Sequence, residues 1–509
     1  MFACANRSSI LMKPNVILII LDTMRRDRLS AYGHDRETSP AFDGLAGEGT
    51  RYTRAIAPAQ WTIPAHGSLF TGLMPSDHHV TQSNSRLSAN VPTLAERLQT
   101  AGYHTLSFCN NPLVGVVNHG LQRGFDEFYN YASAVPHRPG DARKPWLRRE
   151  FSQRFRPTAR KLGNLFAQSD TLFRLALNPT IVPIWTRYIN FKGHTANSIS
   201  DFIEYWDAYQ AGGAEKPVFA FLNLMGAHTP YVPPQDALDH IAPELRRDKR
   251  AFEFVRRFNA DAAAWESPPE PPLTDWQQQA LLDFYDAEIF AQDQELARLF
   301  AHLKAAGAME NTTVIVAADH GESHGDHDLF GHGFGVHQEL THVPMVIAGE
   351  RFGRGADNDQ NISTRWLYQT ILDLADAEQR ADEAPFAAYS LASQTDEQPI
   401  TSEAFAVNTF LNVLEHRNPS VIERMALREM RRCVVEGDYK LMLRGDQPVA
   451  LYNIALDPAE TRNLIKTEPA RAAELQRAAG LVALDAEAGE TAEQDEKVLE
   501  HLRVLGYID

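Results

Sequence analysis

The chain has 509 residues, 44% of them hydrophobic, and a formal net charge of −17. That length supports a sizeable core and more than one packed unit, and the charge argues against a general nucleic-acid binder. Three scattered cysteines, Cys4, Cys109 and Cys433, exclude a disulfide framework or a zinc knuckle and fit a reducing compartment, so a cytoplasmic location is expected. The opening MFACANRSSILMK does not read as a secretory signal. Residues 1–12 read as a flexible tail, with Met12 an alternative start.

Val16 to Leu21 is an apolar, β-branched run, too short for a membrane span and typical of a parallel strand buried on both faces. Asp22 follows at its carboxyl end, where open α/β sheets place their ligands. A helix is predicted around Phe42 to Gly47. The stretch QWTIPAHGSLFTG, Gln60 to Gly72, reads as a short helix with Thr62 as N-cap, Pro64 just inside and Gly72 at its end. Free amides and the helix dipole at such an end attract anions, and the Thr62 hydroxyl faces the place where one would sit. A third helix is predicted over Asn90 to Ala101, and a strand over Tyr103 to Phe108.

The stretch from about 136 to 190 is rich in arginine and lysine with interleaved aromatics. It reads as an inserted helical segment, either a solvated cover or a contact for acidic substrates or a membrane surface. Pro217 to Leu224 is another buried strand, and it places His228 just past its end. Asp236 to Pro272 reads as a polar surface excursion, and Asp275 to Ala306 has helical apolar spacing. Thr312 to Ala318 is a β-branched strand that delivers Asp319 and His320. Val343 to Ile347 is one more strand. Ala375 to Pro399 is acidic and reads as loops around a short helix. Cys433 to Leu443 and Val449 to Tyr452 alternate as antiparallel strands do, and Arg471 to His501 reads as a charged helix. Together these elements predict an α/β fold: a doubly wound, mostly parallel sheet flanked by helices over residues 13–370. A smaller C-terminal α+β part is expected over 371–509.

The ends of neighbouring parallel strands converge, so Asp22, Asp319, His320 and the Thr62 hydroxyl make a candidate divalent-metal site. Carboxylate oxygens mixed with imidazole favour manganese, zinc or iron over calcium, with magnesium also admissible. A metal beside Thr62 would favour its alkoxide during attack on a tetrahedral ester. A histidine-dense run follows: His320, His324, His327, His332, His337 and His342. His332 lies between glycines, which permit close approach of a ligand.

NVILIILDTMRRD, WTIPAHGSLFTG, GAHTPYVPP and AADHGE with GHG, followed by GDYKLMLRGD and LYNIALDPAETRNL, resemble the sulfatase branch of the alkaline-phosphatase superfamily. The resemblance covers Lys13 to about Asn130, Lys216 to about Gly349, and about Arg432 to Leu464. It implies a metal-dependent hydrolase, or transferase, of sulfate or phosphate esters. The family's nucleophile lies in Cys/Ser-x-Pro-x-Arg, where Cys or Ser becomes formylglycine. Here Thr62 stands in that place, so no formylglycine is expected, and the pattern is similar to phosphonate monoester hydrolases and phosphodiesterases. By the same resemblance Asp22, Asp319 and His320 are metal ligands, with Thr23 where a second Asp usually stands. His66 occupies the position of the motif arginine. Asn84 and His228 match substrate-binding positions, and His332 falls where a lysine often contacts ester oxygens. The family's Gly-Lys-Trp-His segment is replaced by Phe108 to Pro112, FCNNP, which leaves His228 or His332, with pKa near neutral, to protonate the leaving group. The expected substrate is an anionic ester, either a small molecule or linked to a glycan or lipid. A sulfatase using Thr62 directly and a non-catalytic binding protein on the same scaffold are the alternatives.

Overall fold

The structure, a computed structural model, describes residues 13–115, 117–132, 137–139, 192–261, 265–266, 268–380, 388–393, 397–478 and 490–491. The expected tail at 1–12, nearly all of the basic insert, and most of the charged C-terminal segment past 478 lie outside the described residues.

The main sheet takes, in chain order, β1 (Asn15–Leu21), β2 (Thr50–Ile56), β3 (His104–Cys109), β4 (Glu127–Asn130), β5 (Val218–Leu224), β6 (Thr312–Ala318), β7 (His342–Ala348), β8 (Ala356–Asn358) and β9 (Ile362–Ser363). Their spatial order is β8-β2-β7-β6-β1-β5-β3-β4, with β9 also beside β2. A strand with no polar face belongs in the middle of a sheet covered on both sides. β1 is such a strand: every residue from Val16 to Leu21 is buried, and it runs parallel to β5 on one side and β6 on the other. β3 and β4 continue the parallel set. β7 is the exception, antiparallel to both β6 and β2.

β2 has no counterpart in the sequence reading. Its TRYTRAI mixes buried and half-buried positions, with Arg51 and Arg54 paired to Asp357 and Asp438, so it lacks the continuous apolar signal that marks the central strands. The expected polar excursion at Asp236 to Pro272 is corrected as well. It holds a helix at Gln235–Ile241 and another at Lys249–Asn259. The second buries Ala251 and Val255 and half-buries Phe252 and Phe258. Its charged face dominates the composition and hides the 3-4 spacing of its apolar residues.

The helices flanking the sheet include α1 (Thr62–Thr71), α2 (Thr195–Ala211), α3 (Lys249–Asn259) and α4 (Asp275–Ala305). α4 is long and carries buried acids that find specific partners. Asp286 pairs with Arg28, Asp293 accepts from the backbone of Ala41 and Phe42, and Glu288 pairs with Lys192. An antiparallel sheet of β10 (Ile400–Ala404), β11 (Arg431–Glu436), β12 (Tyr439–Arg444) and β13 (Gln447–Asn453) follows in that order. One face of it, with Cys433, Met442 and Ala450, joins the main core, while Val434, Leu441 and Leu451 pack with Leu475 of the helix Pro469–Ala478 in a small core of their own.

Candidate active site

The register of β1 against β6 puts Leu21 beside Ala318, so the next residues, Asp22 and Asp319, leave adjacent strand ends side by side. Both are buried. Asp22 Oδ2 accepts from Asn111 Nδ2 at 2.7 Å and from Asn223 Nδ2 at 3.4 Å. Asp319 Oδ1 accepts from the backbone of His320 at 2.9 Å and of Thr23 at 3.4 Å. The remaining oxygens, Asp22 Oδ1 and Asp319 Oδ2, have no hydrogen-bond donor among the described residues. Burial raises the pKa of both carboxyls: Asp22 to about 6, tempered by Asn111, and Asp319 well above the usual range, reinforced by the charge of Asp22.

Thr62 corrects the reading of it as a cap. It is the first helical residue of α1; the N-cap is Trp61, which makes no side-chain capping bond. The Thr62 hydroxyl is turned away from the helix amides. It lies 3.3 Å from His320 Nε2 and 3.4 Å from Asn111 Nδ2. Gly72 ends α1 in the left-handed conformation, as expected. His320 donates from Nδ1 to the Gly321 carbonyl at 2.8 Å, which leaves the lone pair on Nε2, 3.4 Å from Asp319 Oδ2. One ligand atom each from Asp22, Asp319 and His320 lie within 4.8 Å of one another. Two buried carboxylate oxygens without donors beside an imidazole lone pair are a donor set that fits a divalent cation.

His66 borders this space without a hydrogen bond into it: its Nδ1 lies 3.5 Å from Asp319 Oδ2. Its Nδ1 donates to the Thr62 carbonyl at 2.9 Å, its Nε2 accepts from Asn223 at 3.3 Å, and its ring sits edge-on to Phe70 and Phe221. Burial lowers its pKa to about 4. A neutral His66 thus fixes the first turn of α1 and the orientation of Asn223.

His228 and His332 do lie together, with ring centroids 5.2 Å apart, and His332 is 4.7 Å from His320. Their expected near-neutral pKa values are corrected in opposite directions. Burial, and then the charge of His332, push His228 well below the ordinary value. Burial also opposes charge on His332, but Glu322 and Glu266 outweigh it and hold the imidazolium up to about 10. His332 Nδ1 donates to Glu322 Oε1 at 3.1 Å, and its Nε2 is 3.9 Å from Glu266 Oε1. His332 is therefore a fixed cation, and His228 a neutral ring whose Nδ1 donates to the Thr229 carbonyl at 2.7 Å.

Asn84 is exposed in the turn before the short strand Ser85–Arg86 and makes none of the contacts described above. The amides that reach Thr62 and Asp22 come instead from Asn111, just past the end of β3, and Asn223, within β5. Both carry a sequence signal. Asn111 follows a strand end, as Asp22 does, and Asn223 is the polar residue inside VFAFLNL.

Residues 14–377 match the family model Sulfatase. The chain belongs to the sulfatase family, a group of ester hydrolases within the alkaline-phosphatase superfamily. It is 24% identical over 460 residues to the uncharacterized sulfatase YidJ of Escherichia coli K12, covering 89% of this chain and 83% of that one. It is 24% identical over 381 residues to an arylsulfatase of Clostridium perfringens, covering 72% and 75%. Among solved structures it resembles the phosphonate monoester hydrolase of Agrobacterium radiobacter, with a TM-score of 0.62 and 21% identity over 95% of this chain and 100% of that one.

Proposed function

We propose that this chain hydrolyses phosphate-type esters, phosphodiesters or phosphonate esters foremost, with Thr62 as the nucleophile. The observation that carries the reading is the Thr62 hydroxyl, 3.3 Å from His320 and 3.4 Å from Asn111, beside two buried carboxylate oxygens without donors. Asp22, Asp319 and His320 would hold a divalent cation, which lowers the pKa of a nearby hydroxyl and offsets charge on the ester oxygens. Asn111 orients the hydroxyl and Asp22 at once. The Thr62 hydroxyl gives up its proton to solvent and its oxygen bonds to phosphorus as the ester oxygen leaves and takes a proton from solvent; water then cleaves the threonyl ester, releasing the acid and returning the hydroxyl. The His332 cation balances charge on the non-bridging oxygens through both halves. His228 is held neutral by burial and by the His332 charge, so it is not the acid that protonates the leaving group.

A formylglycine hydrate expels sulfate by collapse of its hemiacetal, and a threonyl sulfate has no such exit. A threonyl phosphate is open to attack by water at phosphorus. That difference favours phosphoryl chemistry. The second reading, a sulfatase using Thr62 directly, is favoured by the arylsulfatase relative. The test compares aryl sulfate, aryl phosphate, a phosphodiester and a phosphonate ester on metal-reconstituted protein. Thr62→Ala is expected to lose about ten-thousandfold or more in turnover of the phosphodiester or phosphonate, and Thr62→Ser to keep a measurable part of it. Turnover of sulfate alone would overturn the phosphoryl reading. Undiminished turnover in Thr62→Ala would overturn the nucleophile.

A further inference from the structure

The loop that carries His228 has a second face. Two residues on, Pro230 begins the wall of a cavity of about 800 Å³. Its other wall is α3, with Phe284 of α4 at the base. Tyr231, Val255 and Phe284 are buried there, and Phe252 packs edge-on to Phe284. Val232 is an apolar side chain left 71% exposed at the opening. The volume falls within the roughly 300–1,000 Å³ of small-molecule pockets, and its lining is mostly apolar. None of the residues assigned to ester cleavage lines it.

The rim has the opposite character to the rest of the chain. Arg246, Arg247, Lys249 and Arg256 line the cavity against one carboxylate, Glu253. Glu253 is already engaged by Arg256 at 2.9 Å and by Arg257 at 2.8 Å. Arg246 also lies 3.5 Å from Asp239, so Arg247 and Lys249 carry most of the positive field that draws an anion to the mouth, in a protein of net charge −17. The arginine and lysine heads stay in water while the interior stays apolar. An apolar interior under a cationic rim complements one kind of ligand: a long apolar chain with an anionic head.

We propose that this cavity binds a single-chain anionic amphiphile, its alkyl chain packed between the Pro230–Pro233 loop and α3 and its head at Arg247 and Lys249. This stands independently of Thr62 chemistry. Two sources share the ligand's chemistry: a free amphiphile, and an ester substrate whose organic part reaches over the His228 loop.

The probe is a series of alkyl phosphates, from butyl to dodecyl, titrated below their micellar concentration by calorimetry into wild type and three variants. Affinity is expected to rise with chain length, by up to about fourfold per methylene that enters the cavity. Arg247→Glu with Lys249→Glu is expected to weaken dodecyl phosphate by roughly tenfold. Val232→Glu, at an exposed position, is expected to weaken it further as chain length grows. In Thr62→Ala the chain-length dependence is expected to persist, so a failure of the nucleophile assignment leaves this result standing. Turnover of short aryl esters is expected to be unchanged in the rim and Val232 variants. A KM for aryl alkyl phosphodiesters that falls with chain length would identify the ligand as substrate; binding without that fall would identify a free amphiphile, and either supports the site. Affinity independent of chain length, chain-length dependence untouched by all three substitutions at the rim and mouth, or preference for an acidic peptide over the alkyl series would overturn it.

Discussion

His332 holds its charge because two carboxylates face it, and the same arrangement makes it hard to remove. Glu322 Oε2 has no hydrogen-bond partner among the described residues, and Glu266 also accepts from the Gly333 amide at 3.0 Å. Taking the cation away leaves buried acid without its counter-charge, a change that costs about 3–5 kcal/mol when a buried pair is broken. His332→Gln is therefore expected to lower both the melting temperature and turnover, the latter about a hundredfold or more. Adding Glu322→Gln, at the acid that accepts from His332 Nδ1 at 3.1 Å, to His332→Gln is expected to restore part of the stability and none of the turnover. A thermal melt and a steady-state assay on both variants separate the two effects, and full activity in His332→Gln would remove the residue from the mechanism. The residues Asp22, Asp319, His320 and Thr62 were legible in the sequence because each sits at the end of a strand or the head of a helix, where the chain announces itself by pattern. Asn111, in FCNNP just past a strand end, carries a signal of position but no charge to mark a role. Asn84, a matching position by motif, stands exposed in a turn.

At the scale of elements, α1 is held by a contact that the sequence could not show. A Cβ added at Gly67 would lie 2.6 Å from His78 Cε1 and 2.9 Å from its Nε2. That ring is tied at Nε2 to Ser68 Oγ and the Pro64 carbonyl. Gly67→Ala is expected to cost about 1–3 kcal/mol through overpacking, read as a lower denaturant midpoint, with turnover reduced because the same helix presents Thr62. A second element contact joins the loop after β6 to the turn after β13. His327 stacks on His337 at 3.8 Å, His337 Nδ1 is 3.0 Å from Glu460, and Lys440 reaches Glu460 at 2.8 Å with both side chains fully buried. Burial alone would raise the Glu460 carboxyl, but Lys440 and His337 draw it down to about 2, below its ordinary 4.5. Its contribution to stability is thus complete above about pH 4.5 and lost as pH falls toward 2. His327 is opposed by burial yet raised to about 9 by Glu339, above its ordinary 6.5. Its contribution is complete below about pH 6.5 and lost as pH rises through 9. The stability difference between wild type and His327→Gln/Glu460→Gln is expected to peak between those limits and shrink on both sides. A flat difference across a pH series of denaturant melts would contradict this. Central strands were readable because continuous apolar runs have one place to go. β2 and α3 were not, because a half-exposed element spends its charged side chains on the surface and mixes two signals in one stretch.

For the molecule as a whole, the adjacent carboxylates of Asp22 and Asp319 link stability to metal. A ligand that binds only the folded state adds about 2.7 kcal/mol at a hundredfold excess over Kd, so chelation is expected to lower the melting temperature and reconstitution to restore it. Asp319→Asn keeps Oδ1 for its two backbone donors and places an amide near the His320 lone pair. It is expected to melt at or above apo wild type and to show no response to metal. A melting temperature indifferent to chelator in wild type would contradict the assignment of this donor set. Among the described residues no helix is long and apolar enough to cross a membrane.

The strand order has a further consequence, for the newborn chain. β1 pairs with β5 and β6, whose residues are made some two and three hundred positions later. During synthesis the NVILIIL segment leaves the ribosome with both edges open and no neighbour to close them. The pieces of the site, from Asp22 to His332, come together only once the segment after β6 has emerged. A nascent chain stalled before residue 312 is expected to engage chaperones through this first strand. In refolding from denaturant, return of activity is expected to trail return of helical signal, since the last contacts made are the most distant in sequence.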